Sequence, residues 1–322
     1  MTTIDAHAHV FPRIRGRIGD GPVVGLQYGR AAVGDGSVQI LPPLNAHVVH
    51  NPLMLIAAMD LVGVDRAVLL QGPFYGYCNT YVNAAATEYR DRFAAAIASD
   101  PWKDGRRGFE KACKVAAAAR AFKLEFSERT GLSGLYRGAL LGTAELAWLW
   151  EELDARQMVL VIDLGHIGGL GYQTEAVRAV AARHPNLRIV IAHLAQPSPA
   201  VVRDRKTRNA WLDQVSLGLL ENVWFDTASL PAYFAREPSY RGLADCLRWA
   251  VEAIGSDRIM WGSDIPATLP GATYQQLHDV VAERLAFLDS ASRQRVFGGT
   301  ALRVFWGETG ADPKRGRSAI GR

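Results

Sequence analysis

Two histidines one residue apart, His7 and His9, form the first pattern in the chain that indicates a functional site. They follow a short β-branched run at residues 2–4. Side chains in a strand alternate between faces, so residues i and i+2 point the same way. Both imidazoles can therefore reach one point, which suits a metal ion, because neutral imidazole is a common metal ligand. The alternative is two polar residues ending a strand near a turn.

Three later apolar segments each run into a side chain of a type that binds metals. In chain order these side chains are His166, His193 and Asp264. Taken singly, His193 could be a core histidine, His166 the cap of a glycine-rich turn, and Asp264 a helix N-cap. The chain has eight histidines, and four of them occupy such positions. Together with the first pair, the three side chains predict histidines and a carboxylate converging on one divalent cation.

Eight apolar, strand-like segments alternate with helical segments along the chain. They include residues 2–4, 66–71, 93–98, 121–126, 158–164, 188–192, 223–226 and 258–261. Such alternation with continuous apolar strands predicts parallel strands buried on both faces. Eight units in 322 residues favour an α/β fold of the (β/α)8 TIM barrel type. No change in composition marks a second domain, so we predict one barrel domain over residues 1–322.

A doubly wound open sheet is the alternative architecture. The glycines within residues 165–171 follow a strand and precede a helix, but they do not spell G-x-G-x-x-G. The acidic residue expected about 20 positions later in a dinucleotide-binding fold is also missing. We therefore favour the barrel, in which catalytic side chains lie at the C-terminal ends of the strands. The five candidate side chains all follow strands in this way.

The glycine- and proline-rich segment 13–51 interrupts the alternation after the first strand. Loops of this length are uncommon unless they are functional, so we predict an insertion over the end of that strand with a small hairpin. Its basic side chains either meet an anionic substrate or are solvated loop charges. These residues are Arg13, Arg15, Arg17, Arg30, His47 and His50.

Composition excludes several classes of function. The net charge is +4, from 36 basic and 32 acidic residues, and no basic stripe is interleaved with aromatic residues, so we expect no nucleic-acid partner. No apolar run approaches the roughly 20 residues of a membrane span, and the early first strand leaves no room for a signal peptide. The three cysteines are widely separated, which predicts reduced thiols in a cytoplasmic protein.

Four stretches carry a resemblance to a known family. They are residues 4–9 (IDAHAH), 192–193 (AH), 260–266 (MWGSDIP) and 297–305 (FGGTALRVF). They resemble the amidohydrolase superfamily, and most closely the amidohydrolase-related branch, which includes aminocarboxymuconate-semialdehyde decarboxylase and small lactonases. The resemblance runs from residue 4 to about 306, although the segment 13–51 matches little. The motifs are specific for the superfamily and do not name a substrate.

The resemblance implies roles for individual residues. The implied metal ligands are His7, His9, His166 and Asp264, and the implied catalytic histidine is His193. Some manganese decarboxylases of the branch have Glu-x-His in the first strand. The His-x-His of this chain favours Zn2+ over Mn2+, because zinc prefers nitrogen ligands and carboxylates suit harder ions. Homodimers are common in the family, although no stretch of this sequence indicates one.

The combined residues predict hydrolysis of a small lactone, amide or related carbonyl compound. Zinc lowers the pKa of bound water to about 7. Asp264 would then accept and pass on a proton, and His193 would orient the water or polarise the carbonyl. Decarboxylation of an unsaturated or aromatic acid is the alternative, and an arginine would suit its substrate carboxylate. A barrel that binds a ligand without turnover is a third hypothesis, against which the intact set of ligands argues.

Four further side chains are candidates to contact a small-molecule substrate. They are Phe74, Tyr75, Tyr77 and Lys123. The three aromatic residues follow the second strand in a glycine-punctuated loop, where they either form an aromatic wall or pack the loop on the surface. Lys123 stands near the place where some branches of the superfamily carry a carboxylated lysine that bridges two metals. Otherwise it pairs near Glu125 or binds substrate.

Overall fold

The fold is built around eight parallel strands, and each is joined to the next by a segment that contains a helix. A computed structural model describes residues 2–237 and 239–308. The strands are β1 (Ile4–His9), β2 (Arg15–Ile18), β3 (Gly21–Gly25), β4 (Arg30–Val33), β5 (Gly36–Gln39), β6 (Arg66–Leu70), β7 (Phe93–Ile97), β8 (Ala121–Glu125), β9 (Val159–Asp163), β10 (Ile189–Ile191), β11 (Val223–Asp226) and β12 (Ile259–Met260). The order β1-β6-β7-β8-β9-β10-β11-β12 in space follows the order in the chain.

The eight-stranded sheet closes through the segment that follows β12. The backbone N–H of Ala6 donates to the carbonyl of Trp261 at 2.9 Å, and the N–H of His9 donates to the carbonyl of Ile265 at 2.8 Å. These bonds join the last strand to the first, so the strands form a nearly closed barrel with helices outside it. The predicted (β/α)8 TIM barrel is confirmed.

Helices cover the outside of the barrel. They are α1 (Pro52–Val62), α2 (Asn79–Glu88), α3 (Gly105–Val115), α4 (Leu132–Leu135), α5 (Ala147–Ala155), α6 (Thr174–Arg183), α7 (Pro199–Arg203), α8 (Arg205–Val215), α9 (Leu230–Tyr233), α10 (Arg241–Ile254), α11 (Tyr274–Arg284) and α12 (Ser290–Gln294), with 3-10 turns at Ala144–Leu146, Ala192–Ala195, Ser216–Leu219 and Ser256–Arg258 and π-helical turns at Arg295–Gly299 and Leu302–Trp306. Among the described residues, no helix is both long and apolar enough to span a membrane.

Small and branched apolar side chains fill the inside of the barrel. This cluster includes Ile4, Ala6, Val68, Leu70, Ala121, Val159, Val161 and Val190. It also includes Val304 and Phe305 from the last turn, which pack where the strands begin. The N-terminal end of the barrel is therefore covered, and a second, larger cluster packs the helices around the strands. Polar side chains concentrate at the opposite end.

A β-bulge in β1 decides which way the two histidines point. The pairing of β1 with β6 advances three residues from Asp5 to Ala8, while β6 advances two, from Ala67 to Leu69. One extra residue reverses the alternation of side chains between faces. Without the bulge, Ala6 inside the barrel would place His7 outside it. The bulge turns both histidines into the barrel mouth.

The insertion after β1 forms its own antiparallel sheet of four strands, β2-β3-β4-β5. The sheet has more strands than the small hairpin that the sequence predicted. Its apolar side, which includes Ile18, Val23 and Ala31, forms a separate cluster with Phe11. The edge strand β2 docks on the loop after β6, because the N–H of Arg17 donates to the carbonyl of Pro73 at 2.8 Å. The insertion therefore stands beside the barrel mouth as a fixed wall.

Candidate metal centre

His7 and His9 present their Nε2 atoms to the barrel mouth because each Nδ1 is already bonded. Nδ1 of His7 lies 3.0 Å from Oδ2 of Asp226, and Nδ1 of His9 lies 3.0 Å from the carbonyl oxygen of Leu70. Both neighbours are acceptors, so both Nδ1 atoms carry the proton. The Nε2 atoms then hold lone pairs, as in histidines that bind metals. Burial lowers the pKa of His7 to about 4, which keeps that imidazole neutral.

Asp264 completes a group of three donors. Its Oδ1 lies 3.0 Å from Nε2 of His9 and 3.8 Å from Nε2 of His7. Its backbone N–H donates to the carbonyl of His7 at 2.7 Å, so the loop after β12 is held against β1. Ligands around a tetrahedral zinc, with bonds of about 2.1 Å, are about 3.4 Å apart. Three lone pairs that converge at this spacing repel one another unless a proton or cation lies between them, so the donor set fits a metal ion.

His193 lies beside this group in a different state of protonation. Its Nδ1 is 3.1 Å from the carbonyl oxygen of Ala228, and its Nε2 is 3.3 Å from Oδ2 of Asp163. Burial disfavours the charged imidazole, but the surrounding carboxylates, Asp163 first among them, outweigh burial and raise the pKa of His193 to about 10. The His193 ring centroid is 4.7 Å from that of His7. His193 therefore stands at the centre as a hydrogen-bond donor.

The backbone around the site adopts conformations that side chains rarely tolerate. Residues 193–196 have φ values between 47° and 60°, and Ser229 and Asp264 have φ values of 60° and 62°. Left-handed backbone costs a non-glycine residue about 1–2 kcal/mol. Such strain concentrates at functional sites, where the surrounding structure holds it in place. The hydroxyl of Ser229 donates to Oδ2 of Asp264, which connects two of the strained positions.

The structure does not bring His166 to this cluster. The β9 strand ends at Asp163, and Gly165, at φ 76°, turns the chain away before His166 is reached. The His166 side chain is exposed and lines a different hollow, with Glu128 and Gln196. Among the described residues, the two groups of side chains spaced for a metal are His7, His9 and Asp264, and His7, His193 and Asp226. The sequence-based placement of His166 therefore has no geometric support.

Asp163 and Asp226 are the site residues that the sequence interpretation did not single out. Asp163 accepts hydrogen bonds from Gln196 and faces His193, and Asp226 bonds both His7 and the backbone N–H of His193. Each is the last residue of a buried strand. That position was the available signal, because the C-terminal ends of barrel strands carry the chemistry.

Lys123 lies buried in β8, close to the same carboxylates. Its Nζ is 3.4 Å from Oε2 of Glu125, and both side chains are largely inaccessible to solvent. Burial lowers the pKa of Lys123, but Glu125, Asp163 and the neighbouring aspartates outweigh that effect and raise it. Burial raises the pKa of Glu125 to about 7. The contact agrees with the alternative in which Lys123 pairs with Glu125.

A cavity of about 250 Å³ opens onto these side chains. Phe74 and Tyr75 line it, as does Ile40 from the insertion, whereas Tyr77 is exposed and lines adjoining hollows. The Tyr75 ring centroid lies 4.8 Å from that of His9. Among the described residues, no arginine or lysine lines this cavity. The lining combines polar side chains, such as His7 and His9, with apolar contact from Ile40, Phe74 and Tyr75, which suits a small molecule.

Comparisons with known proteins match almost the whole chain to one family and to a curated relative. A model of the amidohydrolase family matches residues 4–306. The chain is 27% identical over 316 residues to an L-fucono-1,5-lactonase from Burkholderia multivorans, covering 94% of this chain and 95% of the relative.

Two solved structures share the fold. An amidohydrolase from Burkholderia multivorans with bound zinc has a TM-score of 0.69 at 21% identity, covering 95% of this chain and 99% of that chain. A probable 2-pyrone-4,6-dicarboxylic acid hydrolase from Acinetobacter baumannii, with citric acid bound, has a TM-score of 0.66 at 16% identity, covering 95% and 100%. At these identities the likeness concerns the fold.

Proposed function

The chain belongs to the amidohydrolase family and is a hydrolase, and we propose that it opens a small lactone at a divalent metal centre. One observation carries the proposal: the Nε2 atoms of His7 and His9 converge with Oδ1 of Asp264 at separations that match ligands of one cation. The L-fucono-1,5-lactonase from Burkholderia multivorans supports a lactone as substrate.

The proposed ligands are His7, His9 and Asp264. Asp226 and the carbonyl of Leu70 hold the two imidazoles in the ligand tautomer, which is the usual role of second partners at metal sites. Two nitrogen donors and one carboxylate favour Zn2+, with Mn2+ as the alternative. A bound divalent cation would polarise the substrate carbonyl and make water more acidic.

The chain's own residues supply the proton transfers. Asp264 would take the proton of the attacking water, and the Ser229 hydroxyl, which donates to Oδ2, orients its carboxylate. When the ring C–O bond breaks, this proton passes to the leaving oxygen, and a hydroxy acid is released. The two N–H groups of His193 face Ala228 and Asp163, so His193 stabilises the negative charge that develops on the carbonyl oxygen through its own positive charge.

The cavity favours hydrolysis of a lactone over decarboxylation. A decarboxylase must hold the carboxylate that it removes, and a guanidinium suits that task. No cationic arginine or lysine lines the cavity among the described residues. The insertion arginines Arg13 and Arg15 line a separate hollow. Phe74, Tyr75 and Ile40 instead offer apolar contact to a ring.

Substrate screening with defined metal content tests the proposal. Protein loaded with zinc or manganese should hydrolyse L-fucono-1,5-lactone or glucono-1,5-lactone, measured as acid release above the spontaneous rate. Dialysis against a chelator should remove the activity, and added metal should restore it. Asp264→Asn is the background control and should lie near the spontaneous rate. Release of carbon dioxide from unsaturated or aromatic acids, with no lactone turnover, would contradict the proposal.

A further inference from the structure

A second cavity, of about 910 Å³, lies beside the candidate metal centre, and Tyr75 lines both cavities. We call it the basic cleft after five lining side chains, which are Arg13, Arg15, Lys103, Arg107 and Lys111. The insertion contributes Arg13 and Arg15. The other three side chains come from α3 and the turn before it. Two separate parts of the chain thus bring positive charge to one hollow.

The cationic side chains of the basic cleft lack protein partners. Within residues 2–237 and 239–308, none of the five forms an ion pair or a side-chain hydrogen bond. Asp104 is the one carboxylate among the residues that line the hollow. Like charges gathered in a concave surface focus the potential and attract anions. The excess of positive charge therefore calls for an anion from outside the chain.

The floor of the basic cleft adds neutral donors of the kind that bind oxyanions. Helix α2 begins there, and no acceptor in the described chain bonds the backbone N–H groups of Asn79, Thr80 and Tyr81. Its N-cap, Cys78, makes no side-chain capping bond. Free N–H groups and the helix dipole at such a terminus favour negative charge.

We propose that the basic cleft binds the phosphate or carboxylate group of a small molecule. Cationic side chains on two walls and the start of α2 form one site for an oxyanion. The site does not depend on lactone hydrolysis. Because Tyr75 borders both cavities, the anionic group belongs either to an extended substrate or to a separate ligand that sits next to the substrate.

Titration with inorganic phosphate tests the site. Metal-loaded protein is titrated by calorimetry, as wild type and as the variants Lys111→Glu and Lys114→Glu. Both lysines are exposed on α3, but only Lys111 lines the basic cleft. The two substitutions make the same change of charge on one helix. We expect Lys111→Glu to weaken phosphate binding by at least about fivefold, because it places a negative charge within a few ångströms of the anion. Lys114→Glu should change it less than about twofold.

Three results would overturn the proposal. One is that wild-type protein does not bind phosphate. Another is that the two variants weaken binding equally, which would indicate net charge alone. The third is that Lys111→Glu leaves the affinity unchanged, which would place the phosphate elsewhere, such as at the metal. The titration needs no turnover, so its outcome is separate from that of the lactonase assay.

A kinetic comparison distinguishes the two sources of the anion. Glucono-1,5-lactone and its 6-phosphate differ by one phosphate group. If the anion is part of the substrate, the phosphorylated lactone should have a higher kcat/KM, and Lys111→Glu should remove that preference. If it is a separate ligand, the two lactones should have similar kcat/KM while phosphate still binds in calorimetry.

Discussion

Among the single residues of the site, Asp226 contacts both a proposed ligand, His7, and the candidate catalytic histidine, His193. Its Oδ2 fixes the Nδ1–H of His7, and its Oδ1 accepts the backbone N–H of His193 at 2.9 Å. Burial raises the pKa of Asp226, but the neighbouring His7 and His193 outweigh burial and lower it, so the carboxylate stays ionised. One side chain therefore sets the tautomer of a proposed ligand and the position of the catalytic candidate.

We expect Asp226→Asn to weaken zinc binding by about 10–100-fold, as for other partners of metal-bound histidines. The asparagine amide can present an N–H to Nδ1 of His7, which would move the proton to Nε2 and remove the lone pair. Competition with a chelating dye measures the affinity. Asp91→Asn, at an exposed position outside the site, is the matched control. Zinc affinity equal to wild type in Asp226→Asn would rule out this role.

His166 and His9 were both predicted to be metal ligands, but the structure places them in different surroundings. We expect His166→Ala to keep full zinc stoichiometry, because His166 is exposed and outside the donor groups. His9→Ala should lose zinc and activity, because it deletes one of three converging donors. Metal analysis by mass spectrometry and the lactonase assay measure both. Loss of zinc from His166→Ala would indicate that His166 is a metal ligand and would contradict this prediction.

At the scale of elements, a bulge in a strand and a sheet outside the barrel shape the site. The bulge in β1 aims both histidines inward. The insertion places Ile40 in the cavity and docks β2 on the loop that carries Phe74 and Tyr75. The docking is close at Gly16, where a Cβ atom would lie 2.1 Å from the carbonyl oxygens of Pro73 and Phe74. Only glycine fits there without movement of one backbone from the other.

Gly16→Ala should therefore destabilise the insertion and disturb the cavity wall. We expect a loss of about 1–3 kcal/mol in the free energy of unfolding, the usual cost of overpacking, and a raised KM for the lactone. Gly36→Ala is the control in the same sheet, because its Cβ would meet an ordinary contact of 3.7 Å with the carbonyl of Val33. Urea unfolding and steady-state kinetics measure the two effects. Equal stability of the two variants would contradict the close docking.

In the molecule as a whole, apolar side chains cover one end of the barrel, and the candidate metal centre lies at the other end. Val304 and Phe305 pack where the strands begin, and the buried charged groups gather where the strands end. The three carboxylates Asp163, Asp226 and Asp264 outnumber the two cations Lys123 and His193, and an ionised Glu125 adds to the difference. Buried charge without compensation is unfavourable. A divalent cation at the barrel mouth would reduce this imbalance and so stabilise the fold.

Metal binding should accordingly raise the melting temperature. A ligand at 100 times its Kd stabilises the folded state by about 2.7 kcal/mol, which corresponds to several degrees in Tm for a chain of this size. We expect zinc to raise the Tm of chelator-treated wild-type protein, followed by calorimetry, and to leave that of His9→Ala unchanged. No shift in wild-type protein, or the same shift in both, would argue against the proposed ligands.

The amino-acid sequence was sufficient to predict the barrel and to suggest much of the candidate site. The apolar strand segments at regular intervals were enough to predict the fold. Strands of a parallel sheet are buried on both faces, so their sequences are continuous apolar runs that are easily recognised. The residues that end those strands also pointed to the C-terminal end of the barrel as the place of the site. His7, His9, His193 and Asp264 lie together there, although their roles as ligands and catalyst stay predictions.

The polar residue that faces the barrel centre at each strand end could not be identified before the three-dimensional contacts were known. Strand β9 stops at Asp163, three residues before His166, and boundaries of this kind depend on how the neighbouring strands and loops pack. The bulge in β1 and the partners of each Nδ1 depend on contacts between residues far apart in the chain, such as His7 and Asp226. Local sequence patterns contain no information on such contacts, because they form only when the barrel closes.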